Sequence, residues 1–172
     1  MMESAPTLVL SRKADVIRDF AGSELFARTF QEGMDLVEET AAYLDGSGRQ
    51  DSKLLSRSAA LSYAQLSMKL TTRLMQVASW LLVQRAVREG AMAAEAACEA
   101  GYRLAPELDP EPTRSADELP SPLLELMVRS ERLFERVRHL DKRMYVEIAS
   151  ETESAHPVQA QLERLRSAFG AA

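Results

Sequence analysis

RSAALSYAQLSMKLTTRLMQVASWLLVQRAVR, residues 57–88, decides the fold. It contains no proline and no glycine, so nothing local stops a helix of roughly 48 Å at 1.5 Å per residue. Leu61, Ala64, Met68, Thr71, Met75, Ala78, Leu82 and Ala86 recur at steps of three and four, which places them on one helix face. Tyr63, Leu70, Leu74, Val77 and Leu81 make a second stripe beside the first. Two adjacent stripes predict a helix packed on two sides, the central member of a bundle. Gly90 marks its end.

Working outward, Ser23 is a candidate N-cap, followed by Phe26, Phe30, Gly33, Val37, Ala41 and Leu44 at helical spacing. Asp45-Gly46-Ser47-Gly48 closes that helix, because glycine tolerates the left-handed cap conformation. Downstream, Ala91 to Ala100 suits a short alanine-rich helix, and Pro106, Pro110, Pro112 and Pro120 among acids describe an extended connector over 101–120. Ser121-Pro122 opens a third helix with Leu123, Leu126, Ser130, Leu133, Val137, Leu140 and Met144 on its buried side. The expected architecture is therefore all-α. It is an antiparallel three-helix bundle over 23–150, with helices at about 23–45, 57–89 and 121–149. An extended N-terminal segment (1–22) precedes it, and a short helical or flexible C-terminal tail (151–172) follows.

Composition narrows the function. An apolar content of 46% is that of a folded chain, and no apolar run approaches the roughly 18 residues of a membrane span. The N-terminus lacks the basic region of a signal peptide. The single cysteine, Cys98, excludes an internal disulfide framework and a cysteine zinc cluster. Both point to the cytoplasm. A net charge of −5 opposes general nucleic-acid binding. Charge is also sorted by element. Residues 23–45 carry six acids and one base, and residues 57–88 carry five bases and no acid. Pairing between these two helices is expected.

Catalytic chemistry is not encoded. There is no phosphate loop, and Asp45-Gly46-Ser47-Gly48-Arg49 is a turn between helices. His139 and His156 belong to no two-histidine ligand motif, and Cys98 has no nearby histidine in its alanine-rich surroundings. Neither a catalytic residue nor a metal or other cofactor is expected.

Three features could carry function. Around VASWLLVQRAV, Trp80, Val83 and Val87 fall on the same side of the helix as Arg73, opposite the two stripes, so this end is apolar nearly all round. Either the connector or the tail covers it, or it is a dimer or partner surface, for which tryptophan is a frequent anchor. Arg129, Arg132, Arg136, His139 and Arg143 form a basic row on the third helix, a salt-bridged face or a site for an acidic partner or a nucleotide. His139-Leu140-Asp141-Lys142 is similar to the His-x-x-Lys of histidine phosphotransfer bundles, although Arg143-Met144 replaces the small residues that usually follow. In the tail, Val158, Leu162, Leu165 and Phe169 share one face and could dock on the bundle or on another protein.

Several strings resemble the alphaproteobacterial family named regulator of CtrA degradation. They are EGMDLVEE (Glu32 to Glu39), YLDG (Tyr43 to Gly46), LTTRLMQVASWLLVQRAV (Leu70 to Val87), RVRHLDKRMY (Arg136 to Tyr145) and HPVQAQLERLRSAFG (His156 to Gly170). The resemblance runs from about residue 23 to the end. It implies a dimeric three-helix bundle that performs no chemistry and acts as an adaptor for the ClpXP protease. Such an adaptor tethers cargo, such as cell-cycle transcription regulators, to a protease primed by another regulator. Some members act with a cyclic-di-GMP-responsive partner.

Overall fold

The computed structural model describes residues 5–106 and 118–147. Six α-helices occur among them: α1 (Ala5–Gly22), α2 (Glu24–Asp45), α3 (Ser47–Lys53), α4 (Arg57–Arg88), α5 (Ala94–Ala97) and α6 (Ser121–Lys142). A 3-10 turn spans Ala100–Tyr102, a π-helical turn spans Arg143–Glu147, and there is no strand among the described residues. The fold is the all-α bundle that the periodicity demands.

Local chemistry sets the boundaries. Ser23 accepts a hydrogen bond from the Phe26 amide at 3.1 Å, capping α2 where α1 stops. Ser56 does the same for α4 through the Ala59 amide at 3.3 Å. Gly90 ends the α4 run at φ +73°, a conformation that disfavours any side chain. The break after α2 works differently from the expected left-handed cap. Gly46 has φ −101°, and the chain turns straight into α3. Glycine is needed there for space, since a Cβ at Gly48 would lie 2.6 Å from the Tyr63 hydroxyl. At α6 the cap is Pro120, one residue before the expected Ser121, and a proline sits in the first turn, where a missing N–H costs nothing.

The helix directions follow from side-chain partners. Arg129 pairs with Glu39 and Arg136 with Glu32, so α2 and α6 run antiparallel. Arg73 meets Ser130, Trp80 meets Asp141 and Gln84 meets Tyr145, both numbers rising together, so α4 and α6 run parallel. The expected simple alternation of three antiparallel helices is corrected here. Residues 89–120 are long enough to carry the chain back along the bundle before α6 begins.

The N-terminal segment is a second correction, because residues 5–22 are a helix and not an extended arm. Ala14, Ile17 and Ala21 are fully buried at steps of three and four. Phe20 packs edge-on against Phe26 and tilted against Trp80, at 5.7 and 5.8 Å between ring centroids. Two of the three buried residues are alanines, which let α1 approach closely while adding little to a hydropathy pattern.

Candidate interaction surface

The face read around Trp80 lies inside the chain. Trp80 is 2% exposed, and its indole Nε1 donates to Asp141 Oδ1 at 3.0 Å. Asp141 also accepts from Arg103, at 2.7 Å from Nη2 and 3.0 Å from Nε, and from the Leu104 amide at 3.3 Å. The Arg103 guanidinium lies 4.5 Å over the Tyr145 ring, and its pKa is raised by the Asp141 hydrogen bonds. Tyr145 donates to the Ala97 carbonyl at 3.2 Å and accepts from Gln84 Nε2 at 3.3 Å. Burial pushes its phenol up to about 12.

Arg73 is buried too, with Nη1 donating to the Met127 carbonyl at 3.2 Å and to Ser130 Oγ at 2.9 Å. Val87 is buried and Val83 is half-buried. The apolar end of α4 is thus covered by α1 and by residues 101–104. A dimer or partner surface at Trp80, Val87 and Arg73 is corrected to an internal packing site, because these side chains are buried within the same chain, with Val83 half-buried beside them.

The basic row of α6 divides. Arg129 binds Glu39 at 2.7 Å, and Arg136 binds Glu32 at 2.6 and 3.0 Å. The Glu39 carboxyl is held below its ordinary value by the Arg129 hydrogen bond. These pairs are exposed, and such pairs contribute about 0–1 kcal/mol each. The acids of α2 therefore meet α6 here, whereas the charge sorting pointed to α4. Arg132 and His139 are exposed on the same helix, and Arg143 is exposed at the start of the π-helical turn that follows it. Cys98 donates to the Ala94 carbonyl at 3.4 Å, and burial raises its thiol pKa, which suppresses the reactive thiolate. Val158, Leu162, Leu165 and Phe169 lie outside the described residues.

The unpartnered surface is the other stripe of α4. Leu61, Met68, Met75 and Leu82 are 64, 72, 65 and 51% exposed at an unbroken seven-residue spacing. Heptad spacing of this kind is the seam along which a second helix lies. Small residues, Ala64, Thr71 and Ala78, fill the intervening turns. Beside this stripe runs a groove of about 280 Å³ walled by Val37, Ala41 and Leu44 of α2 and by Thr71, Met75 and Ala78 of α4. Thr40 lines it as well, with a hydroxyl that is buried and has no hydrogen-bond partner.

The two sides of α4 are reversed relative to the sequence reading for a physical reason. Arg73 and Gln84 mark a helix face as solvated, yet here both are buried against polar groups of α6 and the π-helical turn. The signal that could have found the exposed seam is its chemistry. Its large positions are only Leu and Met, and Met is favoured where a surface must adapt to more than one partner.

No cluster of three or more His, Cys, Asp or Glu that could hold a metal ion occurs among the described residues. No helix among them is long and apolar enough to cross a membrane.

A family model described as a protein of unknown function, DUF1465, matches residues 17–169. The crystal structure of RcdA from Caulobacter crescentus CB15 is similar at 67% identity and a TM-score of 0.63, over 75% of this chain and 98% of that one. No curated protein matches. With the family model matching residues 17–169 and 67% identity to RcdA over 98% of that chain, the chain belongs to the regulator of CtrA degradation family, that of RcdA.

Proposed function

We propose that this chain is a non-enzymatic adaptor for regulated proteolysis in the bacterial cytoplasm. It tethers cargo, such as cell-cycle transcription regulators, to a ClpXP-type protease primed by another regulator. It acts as a homodimer, and a cyclic-di-GMP-responsive adaptor is a further partner. The observation that carries the reading is the exposed Leu61, Met68, Met75 and Leu82 seam with its groove. Each such side chain contributes on the order of 1.5–3 kcal/mol when fully buried against a partner. Tethering turns a second encounter into an effectively intramolecular one, so a contact of modest size suffices.

The charges of α4 indicate what docks there. Apart from the buried Arg73, it carries four bases and no acid, which favours cargo presenting an amphipathic helix with acidic flanks. Nothing in the fold favours phosphotransfer through His139.

The test is reconstituted degradation of a cargo protein by the primed protease, comparing wild type with a Met68→Glu, Met75→Glu double variant. Both positions are exposed, so the variant should fold normally. Its cargo delivery should fall at least tenfold. Unchanged delivery by a folded double variant would overturn the assignment of the surface.

A further inference from the structure

We propose that the outward stripe of α6, centred on Arg132 and His139, is a second interaction surface. It docks the protease-side partner of the adaptor through an acidic protein face. The proposal rests on the adaptor reading, in which two partners are held at once.

Helix geometry sets where the stripe points. Ser130 and Asp141 of α6 face Arg73 and Trp80 of α4. Arg132 and His139 are seven residues apart, so they share one side of α6. At 3.6 residues per turn that side points directly away from α4. On α4, Met68, Met75 and Leu82 likewise lie opposite Arg73 and Trp80. The two surfaces are therefore back to back, about 20 Å apart across the pair of helices. Whatever occupies the seam, cargo or a second copy, leaves the stripe open.

Charge distinguishes the stripe from an ordinary solvated face. Between residues 132 and 143, α6 and the turn after it expose Arg132, Arg136, Arg138, Lys142 and Arg143. The one exposed acid in that stretch is Glu135, because Asp141 is buried against Arg103. Arg136 is held by Glu32 and Arg138 by Glu135, while Arg129 is held by Glu39. Arg132 stands between the two pairs with α2, exposed and with no side-chain partner among the described residues. The same is true of His139. The helix dipole does not account for Arg132. It favours bases in the last turn alone, and Arg132 lies ten residues before the end of α6 at Lys142.

These features fit one kind of occupant. A net charge of −5 opposes an extended polyanion such as nucleic acid, whose binding needs many phosphate contacts. A local basic stripe on an acidic chain instead suits a compact protein face with carboxylates about 10 Å apart, the rise from Arg132 to His139. Arg132 supplies a fixed charge with a fork of donors, and His139 a ring N–H in either protonation state.

The experiment measures two affinities separately, for cargo and for the primed protease without cargo. It compares wild type with an Arg132→Glu, His139→Glu variant, and with an Arg12→Glu, Lys53→Glu control that alters net charge at least as much. All four positions are exposed or half-buried without a described side-chain partner, and thermal melts confirm the folds. The stripe variant should lose at least tenfold in affinity for the protease and keep cargo binding within twofold. The control should match wild type, and Arg132→Lys should retain most of the binding. Wild-type affinity for the protease should also fall more steeply with salt than that of the stripe variant. Equal protease affinity in stripe variant and wild type would overturn the proposal. So would a loss shared by the control, a loss confined to cargo, or a shift of oligomeric state in the stripe variant, which would assign the stripe to a second copy. A wild-type protein that binds neither cargo nor protease would instead sink the adaptor reading itself, and the proposal with it.

Discussion

Trp80→Asp should abolish the fold and not merely separate subunits. Removing a buried aromatic costs about 3–5 kcal/mol through lost transfer energy and the cavity left behind. The new carboxylate would add to that cost. It would sit in a site that is 2% exposed, facing the Asp141 carboxylate that now accepts the indole N–H. Like charges that close raise each other's energy, and neither could reach water. Against a total stability of about 5–15 kcal/mol, the sum leaves little or nothing. Circular dichroism should show lost helicity, and the cooperative thermal transition should disappear. Trp80→Phe keeps most of the packing against Phe20 and should remain folded, at a lower melting temperature. A folded, monomeric Trp80→Asp protein with a native melt would contradict the internal placement of this side chain.

Asp141→Ala should be the next most damaging change, at about 3–5 kcal/mol. One carboxylate accepts from Trp80, from Arg103 through two nitrogens, and from the Leu104 amide. Removing it strands a half-buried guanidinium and two N–H donors, and the cost of a broken buried pair is chiefly that of the partner left behind. Urea denaturation should report the loss. Hydrogen exchange should localise it, with residues 101–104 and the end of α6 opening while the hairpin of α2 and α4 keeps its protection. Asp141→Asn preserves an acceptor for Trp80 and should lie between wild type and alanine. Equal stability of Asp141→Ala and wild type would show that Arg103 finds water at no cost.

How much of this was legible in the sequence depended on whether a feature is local. The α4 helix was legible because its periodicity and its glycine stop lie within residues 57–90. The role of α1 was not, since Ala14 and Ala21 contribute by their smallness and polar residues share the rest of its surface. The inward face of α4 was misread because the partners of Arg73 and Gln84 are 57 and 61 residues away. No pattern within one helix reports a hydrogen bond over that distance. The same holds for the basic row. Its arginines are evident on α6, but that Glu32 and Glu39 lie opposite depends on the crossover that reverses the chain before α6. The exposed seam was visible as a stripe, and only packing could tell which of two stripes is covered.

Action by tethering leaves a distinctive mark on a titration. Cargo and primed protease are held at fixed concentrations while the adaptor is varied from well below to well above both. A tether predicts that the degradation rate rises, passes a maximum and falls, as excess adaptor fills cargo and protease separately. The Met68→Glu, Met75→Glu variant should flatten the curve. A rate that climbs to a plateau and stays there at large excess would contradict tethering and identify the chain as an activator of the protease or of its cargo.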